Sequence, residues 1–198
     1  MKNMFKSFGA VSLASFGIAC VTNSDLGAFA LTAAAKAFTN WTGLTFAVTY
    51  ILLELVMLLW ATYKGEGIGW TAIINGFYGP LVIAYFHSIL PHNPWLIMLG
   101  MPLIGIAYSM QGKAGLGDTG SCLFTTTLMK QTGWSVMTCR LLLDTSLMII
   151  GFIGARKYVT FGTVILTIVT GPGLHLAYKV LNYKPTKIEH KYIIKIRH

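Results

Sequence analysis

Residues 24–40 read SDLGAFALTAAAKAFTN and residues 118–131 read DTGSCLFTTTLMKQ. Each stretch holds about 13 continuous helical residues between polar ends, which at about 1.5 Å per residue makes roughly 20 Å of helix. A bilayer's hydrocarbon core is about 30 Å thick. Helices of this length enter a membrane without traversing it, and the topology of the chain turns on them.

Around these two segments lie six longer apolar stretches, at residues 5–22, 45–63, 70–90, 94–110, 134–155 and 159–179. Each approaches the roughly 20 residues that a spanning helix needs. With 55% apolar and 11% charged residues in 198, the chain has too much apolar surface for a soluble domain of its size. Lys2 and Lys6 ahead of an apolar run give the first stretch the look of a leader. Five further spans need no leader, so it is read as a span. The expected partner of most of the surface is the lipid bilayer.

The two halves resemble one another at an offset of 90 residues: Leu26-Gly27 falls on Leu116-Gly117, Thr42-Gly43 on Thr132-Gly133, Thr45 on Ser135 and Glu54 on Asp144. Allowing two or three extra residues in the second half, Gly69 meets Gly162 and Gly79-Pro80 meets Gly171-Pro172. The chain therefore divides into a first membrane repeat (1–93), a second (94–178) and a basic tail (179–198). If the short segments re-enter, each repeat crosses three times and the second is inverted relative to the first, the plan of many secondary transporters. The fold class expected is an all-α polytopic membrane protein with six transmembrane helices, two short re-entrant helices and two tandem, inverted three-helix repeats.

Charge orients this plan. A net charge of +9 is common in nucleic-acid binders, but six of the fifteen basic residues sit in the tail 179–198, where a polybasic segment faces anionic cytoplasmic lipid. No nucleic-acid partner is expected. With both termini inside, eleven Lys and Arg are cytoplasmic and three, Lys36, Arg156 and Lys157, are outside. If the short segments cross, the split is ten to four, so segment length rather than charge carries the inverted plan.

Chemistry is sought where charge enters a span, since an ionised side chain there costs about 2.5–3.5 kcal/mol on insertion scales. Glu54, Arg140 and Asp144 fall near span centres. Glu54 and Asp144 occupy matching repeat positions, and an inverted two-fold axis brings such positions together near the midplane. Arg140 precedes Asp144 by four residues and shares its helix face. Its repeat counterpart is Tyr50, which leaves Glu54 without a matched arginine, so proton coupling and cation recognition are both expected of it. The competing expectation is a charge cluster that only locks helices together.

The glycine turns Asp25-Leu26-Gly27 and Gly115-Leu116-Gly117-Asp118 precede the short helices. Asp25, Gly117 and Asp118 are candidates for ligand contact at those helix starts, although either aspartate can instead cap its own helix. Thr125, Thr126 and Thr127 are candidate polar lining, and Gly79-Pro80 and Gly171-Pro172 are expected to break their helices. The histidines lack haem or zinc spacing, and Cys20, Cys122 and Cys139 show no pairing or ligand spacing. Neither a cofactor nor a resident metal is expected. No nucleophile and base, phosphate loop or HExxH pattern appears, so no enzyme is expected.

The ordered set Gly115-Leu116-Gly117, Thr132-Gly133, Arg140 and Asp144 on one helix, Gly162-Thr163 and Gly171-Pro172 resembles the bacterial YczE/YyaS/YitT-like membrane proteins. The first repeat carries a weaker version through Leu26-Gly27, Thr42-Gly43, Glu54, Gly69 and Gly79-Pro80. That family often continues the glycine turn with Pro-Trp-Asp, where this chain has Asp118-Thr119-Gly120, and the acid that follows Gly-Pro there is missing here. The resemblance implies a small multi-pass protein of the bacterial cytoplasmic membrane. The leading expectation is a carrier of an unidentified small solute, with a homodimer conceivable for so small a chain. Alternatives are a substrate-capturing subunit of an ATPase-driven transporter, docked through Ala10-xxx-Ala14, and a non-transporting scaffold or assembly factor.

Overall fold

The computed structural model describes residues 2–114, 119–168, 172 and 192–194. Helices α1 (Lys2–Thr22), α2 (Ala30–Thr42), α3 (Phe46–Tyr63), α4 (Trp70–Ile89), α5 (Leu96–Ala114), α6 (Gly120–Thr132) and α7 (Val136–Gly154) follow in order. A 3₁₀ turn, Arg156–Tyr158, leads into helical residues 161–168. Strand β1 (Ile68–Gly69) pairs antiparallel with β2 (Tyr192–Ile194).

The chain is an all-α protein of membrane type. Met4–Thr22, Phe46–Tyr63, Trp70–Ile89 and Val136–Gly154 are long and apolar enough to cross a bilayer, and Leu96–Tyr108 is a shorter apolar helix. The last expected stretch, 159–179, is described only in part. Leu52, Val56, Leu59, Leu81, Ile149 and Phe152 are among the many large apolar residues that are exposed, a surface that suits lipid.

The core is built from small residues. Ala10, Val11, Ala14 and Ala19 of α1 are fully buried, and at Gly17 and Gly100 the backbones of α1 and α5 meet with no room for a Cβ on either helix. In a membrane, where lipid is as apolar as leucine, such close approach is what holds helices together. Because Ala10 and Ala14 are consumed in this packing, they are not an external docking surface for another subunit.

Helices α2 and α6 have matching ends. Both stop at a glycine in the left-handed region, Gly43 (φ 73°) and Gly133 (φ 72°), each donating its N–H to the carbonyl four residues back. The helices that follow begin after Thr45 and Ser135 with nearly identical backbone angles. Helix α2 packs on α7, where Ala33 and Ala37 sit against Gly151 and Gly154, and α6 packs on α3, where Phe124 stacks near Trp60.

Contacts at the helix ends fix which ends lie together. Asn23, just after α1, donates Nδ2 to the carbonyls of His87 (3.1 Å) and Leu90 (2.9 Å) at the end of α4. Lys36 Nζ is 3.0 Å from His87 Nε2, and Asn40 Nδ2 donates to Gly154 O at 2.8 Å. At the far end of α3, Lys130 Nζ meets Glu66 Oε1 at 2.5 Å, close to the β1–β2 pair.

Helix α4 runs unbroken through Gly79-Pro80, where a break was expected. The proline is buried, and the missing N–H is absorbed inside a packed helix. Gly171 lies outside the described residues.

Candidate functional site

Arg140 and Asp144 lie one turn apart on α7, and Arg140 Nε donates to Asp144 Oδ2 at 2.8 Å with both side chains buried. Arg140 Nη1 reaches Ser121 Oγ, 3.3 Å away in the first turn of α6. Charge-assisted bonds of this kind, with a third group satisfying the guanidinium, are what make a buried pair tolerable.

Glu54 comes to the same place from α3. It is 1% exposed, the largest fully buried side chain among the described residues. Its carboxylate faces the start of α6, toward the backbone N–H groups of Gly120 and Ser121 and the charge of Arg140. Unpaired N–H groups and the helix dipole favour a negative charge there. A Cβ at residue 120 would collide with Glu54 Oε2, so the glycine admits the carboxylate. Oε2 itself has no hydrogen-bond partner among the described residues.

The three charged groups line one cavity of about 180 Å³. Ile18, Leu31, Met101 and Ile104 make its apolar wall, Phe29, Tyr50 and Tyr108 bring aromatic rings, and Asn75, Thr119, Ser121 and Thr167 add polar groups. An apolar cavity with a few convergent polar groups is the usual form of a small-molecule site.

Thus Glu54, Arg140 and Asp144 meet as the repeat positions suggested. Asp25 does not join them: it is exposed, has φ 58° and bonds His92 Nδ1 at 2.9 Å. It does not cap α2 either, whose N-cap is Phe29. Gly117 and Asp118 lie outside the described residues. Thr125, Thr126 and Thr127 return their hydroxyls to carbonyls four residues back within α6 and do not line the cavity. Among the lining residues not foreseen, Tyr50, Tyr108, Asn75 and Ser121 come from four different helices.

A second, open pocket at the end shared by α1 and α4 is lined by Asp25, His87, His92, Lys157 and Thr160 among others. His87 Nδ1 also contacts Asn23 Oδ1. Among the described residues no group of three His, Cys, Asp or Glu is arranged to hold a metal.

Residues 1–179 match the model of a family described as a family of unknown function (DUF6198). No curated protein and no solved structure matches the chain.

Proposed function

The chain belongs to this family of unknown function, and we propose that it is a small secondary carrier of the bacterial cytoplasmic membrane whose solute binds at Glu54, Arg140 and Asp144. The carrying observation is the cavity lined by three buried charges, in which Glu54 Oε2 has no partner among the described residues. A cluster serving only to lock helices would satisfy its own polar atoms and leave no room between them. The likeness to the YczE/YyaS/YitT-like proteins stays part of this proposal.

The inverted plan is part of it too, supported by the parity of crossings. The end of α1 meets the end of α4 through Asn23, so an even number of crossings separates them. Helices α3 and α4 supply two, which leaves none for α2. Likewise α6 ends beside the end of α3 through Lys130 and Glu66, and α4 and α5 supply two crossings, leaving none for α6. Both short helices then re-enter, and the repeats are inverted.

Residue equivalences support the same plan. Ile18 and Tyr108, Phe29 and Thr119, Leu31 and Ser121, Tyr50 and Arg140, and Glu54 and Asp144 are pairs 90 residues apart, and Asn75 and Thr167 stand 92 apart. Both members of every pair line the cavity, as expected of a site on a pseudo-two-fold axis. Lys2 and Lys6 lie at the start of α1, which meets the start of α4 through Ser7 and Thr71. They share the end that holds the β1–β2 pair with Lys64, Lys113 and Lys130, against Lys36, Arg156 and Lys157 at the other. By the positive-inside rule this five-to-three excess favours the β1–β2 end as cytoplasmic.

Single-cysteine labelling in cells tests the topology. Asn40→Cys and Trp95→Cys are expected to react with an impermeant maleimide from outside, and Lys64→Cys and Gln131→Cys only after permeabilisation. Labelling of Asn40→Cys solely from the cytoplasmic side would mean that α2 crosses, and the inverted plan would fall.

A thermal-shift screen of the detergent-purified protein against metabolites and ions tests the site. A ligand at 100 times its Kd adds about 2.7 kcal/mol, a rise of about 5–10 °C for a chain of this size. That rise is expected in the parent and lost in Glu54→Gln and Asp144→Asn. If no ligand shifts the parent and both variants melt as it does, the charges are packing and the carrier proposal fails.

A further inference from the structure

We infer that the central cavity takes a small monovalent organic cation, a primary ammonium or amidinium of about five to eight heavy atoms in all, most of them apolar. This rests on the carrier proposal and narrows it by charge. Among the described residues the cavity holds two carboxylates and one guanidinium. Arg140 is committed to Asp144 and Ser121, which leaves Glu54 as the group to be matched. Glu54 lines the cavity, and its Oε2 is buried against Gly120 with no hydrogen-bond partner among the described residues. A cationic N–H donor entering the cavity completes it.

Other classes fit less well. Two helix starts line the cavity. Glu54 already occupies that of α6 at Gly120 and Ser121, and an anion at that of α2, beside Phe29, Ala30 and Leu31, would share the cavity with the carboxylates of Glu54 and Asp144. A zwitterion would bring a carboxylate into a site already in excess of negative charge. A bare inorganic cation would have to replace its water with six or so oxygens, whereas much of the wall is apolar and no cluster of metal-ligating side chains exists among the described residues.

Aromatic surface argues for an organic cation in particular. Phe29, Tyr50 and Tyr108 contribute rings to the same cavity, and a carboxylate with several rings is the composition that holds ammonium groups by cation–π attraction. The volume of about 180 Å³ compares with the roughly 150 Å³ cavity that accommodates benzene, which sets the size.

The test uses three molecules of nearly one shape and three charges: tert-butylammonium, tert-butanol and pivalate. Each is titrated into the purified full-length chain at neutral pH, with sodium chloride as the ionic-strength control, and melting is followed. Only tert-butylammonium is expected to raise the melting temperature, with its apparent Kd at least tenfold weaker in Glu54→Gln. Phe29→Leu, which keeps apolar volume and loses the ring, is expected to weaken it severalfold, so the inference stays open to test even if Glu54→Gln does not fold. Equal or larger shifts with tert-butanol or pivalate, or no shift with tert-butylammonium, overturn the cation class. The carrier proposal itself would still stand if any ligand of the broad screen binds in a Glu54-dependent way, so the two failures are distinguishable.

Discussion

Arg140→Met is expected to destabilise the protein by about 3–5 kcal/mol, because removing one partner of a buried pair leaves the other charged and uncompensated. Asp144 is 3% exposed and Glu54 1%, so two carboxylates would then face one cavity with no cation between them. The double variant Arg140→Met/Asp144→Leu removes the pair together and is expected to recover most of the loss, since apolar replacement of a whole buried pair is often close to neutral. Reversible unfolding in mixed micelles, run as a double-mutant cycle, measures both. A single variant that costs under about 1 kcal/mol would mean that water or another group compensates Asp144, contrary to the burial and the 2.8 Å contact. A double variant that regains stability yet loses every ligand-induced shift would tie the pair to the site as well as to the packing.

Much of this arrangement is legible in the chain because it is local. Arg140 and Asp144 share a face by spacing alone, and Thr42-Gly43 and Thr132-Gly133 mark the ends of α2 and α6 through the left-handed glycine that closes each helix. The repeat offset brings Glu54 to Asp144. Extended to every position, the same offset relates Tyr50 to Arg140, Ile18 to Tyr108 and Leu31 to Ser121, so more of the lining was available than the charged residues alone.

The rest depends on contacts between distant segments. The 24–40 segment is expected from sequence to hold about 13 helical residues after the turn at Asp25-Leu26-Gly27, and α2 has 13. It starts at Ala30 and ends at Thr42, however, because Ala28 and Phe29 are kept out of the helix by groups far along the chain. Ala28 N–H goes to Tyr158 O (3.3 Å) and Thr163 Oγ1 (3.1 Å). Asp25 is consequently left outside the helix start it was placed to cap. Nor does Glu54 carry any local sign that it fills the start of α6, since that placement follows from the packing of α3 on α6 across the two repeats.

That segment also sets the second large effect: Gly162→Ala is expected to destabilise by about 3 kcal/mol and to abolish ligand-induced stabilisation. A Cβ at residue 162 would overlap the Leu26 carbonyl, the same oxygen that accepts the Thr160 hydroxyl. Both partners are backbone, so neither rotates away. To admit a methyl group the lead-in to α2 must move off residues 158–163 and release the bonds to Ala28. Phe29 and Leu31, which line the cavity, would move with it, so loss of binding should exceed what the melting temperature alone implies. Gly43→Ala is the matched control: its φ is 73° but open space surrounds it, so it is expected to cost only about 1 kcal/mol of left-handed strain and to leave binding intact. Equal, mild effects from the two replacements would show that the 24–29 segment is free to shift, and that the cavity wall it carries is not held in place from residues 158–163.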